Sequence, residues 1–212
     1  MSAPLDLASR RYRLQRTEGK GVAFWGVILL SVTEGMLFLV LLFSYYYLWS
    51  FAPQWPPSGV EAPHLWESSP WNVTLRSVFL LASSLTIWIG ERKLKAGSRR
   101  GAWGWTLVTI AFAAYFMAGH AHEFLVKLPT EFLWSDHAYG SLYWTILNFH
   151  GAHVVVGIAI WLFILVRLGR GAYGPDDHTQ FQTASIYWHF VDAIWVFVYT
   201  TIYVFPNLVS GG

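Results

Sequence analysis

Two pairs of ionisable residues set the chemistry open to this chain. His150 and His153 stand three residues apart, and so do His189 and Asp192, so each pair shares one face of a helix. Two imidazoles facing an imidazole and a carboxylate make either an interhelical hydrogen-bond layer or a nitrogen–oxygen metal site. The layer is the reading adopted. A metal site needs groups that orient its ligands and a path for the ion, and the surroundings here are aromatic and aliphatic. Haem ligation by His150 and His153 fits less well still, because residues at i, i+3 cannot take opposite faces of one haem. Glu34 stands alone in an apolar stretch, as a packing acid bonded to a neighbouring helix or as a group that exchanges protons or senses lipid headgroups. His120, His122 and Glu123 form an expected outer polar cap that water reaches, with Glu123 pairing Lys127 at i, i+4.

These residues lie in long apolar blocks that must position them. The blocks cover about 21–49, 72–90, 102–126, 139–166 and 179–206, each long enough for the roughly 20 residues a spanning helix needs, with allowance for tilt in the longer ones. The stretch 187–203, YWHFVDAIWVFVYTTIY, organises the rest. One face reads Ser185, His189, Asp192, Val196, Tyr199 and Tyr203, a polar seam that must pack against other helices. The other side, Trp188, Trp195, Val198 and Ile202, is apolar. Ser83, Ser84 and Thr86 in the second block suit close helix contact, and the tryptophans read as anchoring belts at span ends. Gly151, Ala152 and Gly157 leave room for close backbone approach in the fourth.

Composition agrees with a membrane chain: 55% hydrophobic residues, 18% aromatic and only 12% charged, with mean hydropathy +0.40. With no cysteine, disulfides, thiolate nucleophiles, iron–sulfur clusters and thiolate metal sites are excluded. The net charge of +2 does not mark a nucleic-acid surface, because the basic residues cluster beside the apolar blocks. About twenty polar residues precede the first block, which argues against a signal peptide and for a retained helix. With the N-terminus inside, twelve of the fourteen Lys and Arg fall on the inner side, and only Arg76 and Lys127 fall outside. The positive-inside bias then predicts a cytoplasmic N-terminus and an external C-terminus. The expected architecture is an all-α integral membrane protein. It has a polar arm over 1–20, one five-helix bundle over 21–207 and a tail over 208–212.

Three motifs carry a resemblance. Phe149-His150-Gly151-Ala152-His153-Val154 with Gly157, the stretch 187–203, and Ser31-x-x-Glu34-x-x-x-Phe38 are similar to motifs of the cytochrome c oxidase subunit III family. Order and spacing agree over roughly 20–207, and five helices resemble the short bacterial form. The chain departs where the family usually has Gln-x-x-Glu-Tyr (here His120-Ala121-His122-Glu123-Phe124) and Thr-Gly (here Leu147-Asn148). It also has Gln182 where a glutamate is common. The resemblance implies a subunit that binds no haem, copper or other metal itself and docks on the catalytic subunit I of a respiratory oxidase in the bacterial plasma membrane. Subunit II, and in some complexes a small subunit IV, would accompany it. It further implies bound phospholipid and support of proton uptake, with Glu34 as intramembrane carboxylate and no catalytic residue. A subunit III-like accessory protein of a quinol oxidase or nitric-oxide reductase is the alternative. A proton-coupled transporter is a remoter one, since no inverted repeat or broken helix is found.

Overall fold

The computed structural model describes residues 21–66, 68–130, 132–175 and 177–210, excluding the side chains of 127–130 and 210. The expected polar arm, Lys127 as a partner of Glu123, and the last two residues of the tail lie outside this description. The described chain is helical and holds five helical runs long and apolar enough to cross a membrane. They are α1 (Val22–Phe51), α2 (Val73–Lys95), α3 (Arg99–Thr130), α4 (Ala138–Gly169) and a composite fifth run. The fifth run joins α5 (Thr179–Tyr199), a π-helical segment (Thr200–Val204) and a short α6 (Phe205–Ser210).

Local chemistry sets the helix ends. The Asn72 side chain accepts a hydrogen bond from the Leu75 amide at 3.0 Å, and His137 Nδ1 accepts one from the Gly140 amide at 2.8 Å. At the C-terminus of α2 the amides of Gly97 and Ser98 return to the carbonyls of Leu94 and Lys93. Gly97 takes the left-handed conformation (φ 78°) that this closure requires. Gly171 ends α4 in the same way, with φ 80° and the pairs Gly171–Leu168 and Ala172–Arg167. Arg92, Lys93 and Lys95 in the last turn of α2, and Arg167 in that of α4, meet the negative ends of the helix dipoles. Both glycine closures lie at one end of the bundle, the hairpin end. The described residues of the connections from α1 to α2 and from α3 to α4 lie at the other, the loop end.

The helices α2 and α3 share the most extensive interface, α3 continues onto α4, and α5 packs on α4, α2 and α1. The first helix is peripheral: it leans on α4 and α5 and buries little beyond Phe38 and Tyr45. The core is aromatic, with Trp144, Trp161, Trp188, Trp195 and Phe116 almost wholly enclosed. The expected seam of the fifth run is divided: Ser185, Asp192 and Tyr203 are buried, whereas His189 and Val196 are exposed, and the apolar side, Trp188, Trp195, Val198 and Ile202, is enclosed as well. The two indoles are held as core residues rather than as belts: Trp188 Nε1 donates to Ser83 Oγ (2.8 Å) and Trp195 Nε1 to Ser77 Oγ (2.9 Å). Burying an indole is favourable only where its N–H finds an acceptor, and the serines of α2 supply it.

Close approach of α4 and α5 depends on Gly157, where a Cβ would stand 2.5 Å from the ring of the fully buried Trp188. Gly157→Ala is therefore expected to destabilise the bundle by about 1–3 kcal/mol through overpacking. Gly104→Ala, where a Cβ meets nothing within 4 Å, is expected to have little effect. Thermal loss of helicity in mild detergent measures both.

Candidate functional site: a polar interior in three parts

The loop end of the bundle holds an ion pair out of contact with solvent. Arg76, in the first turn of α2, donates through Nη2 to Glu123 Oε2 of α3, and the two side chains are 3% and 6% exposed. Tyr143 of α4 donates to Glu123 Oε1 at 2.6 Å. Tyr203, in the π-helical segment, reaches both carboxylate oxygens at 2.9 and 3.1 Å. One carboxylate thus joins four elements, and its charge is met by a cation and two hydroxyls. The Arg76 stem lies against Gly119, where a Cβ would stand 2.8 Å from its Cδ. The expected cap is divided: His120 and Glu123 are buried, and His122 alone is exposed, stacked on Trp71 at 5.7 Å. Sequence reasoning counted Arg76 only as a charge outside the membrane. The available signal was a lone arginine in one apolar block and a lone glutamate near the end of the next.

At mid-bundle the expected single layer separates. His150 is buried and stacks on Trp195 at 4.8 Å, with Phe116 edge-on at 6.0 Å. His120 sits above Gly151, where a Cβ would stand 2.8 Å from its Nε2, and lies within hydrogen-bonding reach of Asn148. His153 turns away to α1. Its Nε2 is 3.1 Å from Glu34 Oε2 and its Nδ1 is 2.6 Å from the Phe149 carbonyl. Glu34 is thereby tied to α4 while keeping 29% of its side chain exposed.

The third part lies between α2 and α5. Ser84 donates to Asp192 Oδ2, and its hydroxyl is 2.9 Å from His189 Nδ1. His189 Nε2 is 3.2 Å from Ser185 Oγ. Toward the hairpin end the same groove holds Gln182, which donates to Glu91 Oε1 at 3.2 Å, and Lys95 pairs with Glu91 at 2.7 Å. Hence His150, His153, His189 and Asp192 do not converge on one point. Among the described residues no three His, Asp or Glu side chains gather as a metal site. The arrangement can hold charge at the loop end and can hold or pass protons at Glu34–His153 and at His189–Ser84–Asp192.

Residues 14–207, most of the described bundle included, match the family model described as Cytochrome c oxidase subunit III. The chain belongs to the cytochrome c oxidase subunit III family. Among relatives named cytochrome c oxidase subunit 3, that of Thermostichus vulcanus is 31% identical over 180 residues, covering 84% of this chain and 85% of the relative. That of Gallus gallus is 34% identical over 194 residues, covering 88% and 70%, and that of Latimeria chalumnae 33% over 186 residues, covering 84% and 68%. Two departures from the subunit III pattern touch each other, since His120 meets Asn148. The third, Gln182, offers an amide donor to Glu91 where a second carboxylate would repel it.

Breaking a buried ion pair from one side leaves an uncompensated charge. Arg76→Met should cost about 3–5 kcal/mol. Adding Glu123→Gln should recover most of that loss, because a neutral amide oxygen still accepts from Tyr143 and Tyr203. A double-mutant cycle on chemical denaturation, followed by helicity, reads the coupling; additive losses would contradict it.

Proposed function

We propose that this chain is the non-redox accessory subunit of a haem–copper terminal oxidase of the cytochrome c:oxygen reductase type. In this reading it stabilises the catalytic subunit, binds phospholipid and supports proton uptake during aerobic electron transport. The observation that carries the reading is the family match over 14–207, with Glu34 of α1 and His153 of α4 within hydrogen-bonding distance of each other. Haem and copper belong, on this reading, to the partner subunits I and II; a small subunit IV is a further partner. The chain sits in the bacterial plasma membrane with its hairpin end cytoplasmic and its loop end external, as the distribution of Lys and Arg favours. A single five-helix domain over 21–207 carries these roles.

Part of one acyl chain of such a phospholipid would lie in the groove between α1, α4 and α5, a cavity of about 230 Å³ lined by Val27, Val156, Ile160 and Phe163 among others. This lining suits an acyl chain. Arg167, whose guanidinium stands 5.6 Å from the Phe163 ring, would meet the headgroup phosphate.

Two measurements test the reading. In the cysteine-free chain, Ser9→Cys and Ser98→Cys should be shielded from an impermeant thiol reagent in intact cells, and Ser210→Cys should be labelled; labelling of Ser98→Cys from outside overturns the orientation. Glu34→Gln should assemble with normal haem content yet slow oxygen consumption, with the deficit growing toward high pH, where protons are scarce. Superimposable rate–pH profiles at equal subunit occupancy would leave Glu34 with a structural role only.

A further inference from the structure

The bundle buries two carboxyls in opposite surroundings. Glu123 has a guanidinium and two phenols around it. Asp192, only 3% exposed, has a single donor, the Ser84 hydroxyl, and its Oδ1 has no hydrogen-bond partner. Among the described residues no basic group forms an ion pair with Asp192. An ionised carboxylate enclosed without a cation and with one oxygen bare is costly, and the group avoids that cost by keeping its proton. The same Ser84 oxygen touches the imidazole of His189, which is exposed on the face of α5 away from the core.

From this geometry we infer that Asp192 is a proton-holding site of the chain, loaded and unloaded through Ser84 by the imidazole of His189. The site takes no metal or organic ligand; its ligand is the proton. The inference goes beyond the assignment of Glu34 and does not require it. Loading is balanced along the bonds present. A proton taken up at His189 Nε2 gives an imidazolium, and the Nδ1 proton passes to Ser84 Oγ. The Ser84 hydroxyl proton passes to Asp192 Oδ2, which leaves a neutral imidazole, a neutral serine and a protonated aspartate. Unloading is the reverse. The groups facing the relay are Ser185 on α5 itself and, from α2, Glu91, which bonds Gln182 one turn nearer the hairpin end. The chain of polar side chains Glu91, Gln182, Ser185, His189 gives protons a direction of approach from that end.

Infrared spectroscopy of the full-length chain in lipid bilayers, with whatever subunits co-purify, tests this. The protonated carboxyl absorbs apart from carboxylate and amide bands and shifts on deuterium exchange. The wild type should show a protonated-carboxyl band that Asp192→Asn removes; the amide keeps the Ser84 contact, so folding is not at issue. Ser84→Ala and His189→Phe should keep that band but slow its deuterium shift at least tenfold, whereas Glu34→Gln should leave both the band and its rate in place. Identical carboxyl spectra for wild type and Asp192→Asn would overturn the inference by showing an ionised aspartate. Exchange at wild-type rate in both relay variants would overturn the route. Neither outcome bears on oxidase membership, which co-purification of haem reads separately.

Discussion

A guanidinium and a carboxylate enclosed together leave the bundle little freedom at its loop end. Neither can ionise alone in apolar surroundings, so Arg76 and Glu123 must stay in contact, and α2 and α3 keep the register that allows it. Tyr143 and Tyr203 then fix α4 and the end of the fifth run against the same two oxygens. Asn72 begins α2 one residue ahead of its first helical position and so places Arg76 in the first turn. Gly119 leaves room for the arginine stem. Such a knot adds little net stability over an apolar replacement, but it penalises every arrangement in which the four elements are displaced.

The number of helices was legible because hydrocarbon demands an uninterrupted apolar length and allows few substitutes. The polar residues of interest were legible for the complementary reason that Glu34, His150 and Asp192 are costly at that depth. Their partners were not. His153 finds Glu34 across 119 residues and Arg76 finds Glu123 across 47, and no local period encodes either. The facing of α5 was only half legible, because Ser185 and Asp192 of its polar stripe are enclosed and the apolar side opposite is enclosed too. Which side of a helix is enclosed depends on where its neighbours stand, and the acceptors that make Trp188 and Trp195 core residues lie on α2, more than a hundred positions earlier.

The polar groups are also graded along the bundle. Full charge, paired, occupies the loop end; hydroxyls, imidazoles and isolated carboxyls occupy the middle; and exposed cations crowd the hairpin end, where Arg92 lies 3.7 Å over the ring of Trp88. Each class sits where its desolvation can be met: by a fixed counter-charge, by short hydrogen bonds, or by water and an aromatic face.

The π-helical segment Thr200–Val204 bears on how the gene itself can vary. A π turn holds one residue more than the α turn it replaces, so everything beyond it is rotated by about 100°, one residue's share of a helical turn. That rotation is part of what aims Tyr203 at Glu123 and Asn207 at the Pro63 carbonyl, 2.8 Å away. Spacing between Asp192 and Asn207 therefore carries information of its own. A one-codon deletion between Asp192 and Tyr203 would preserve both Tyr203 and Asn207 and misdirect the two of them.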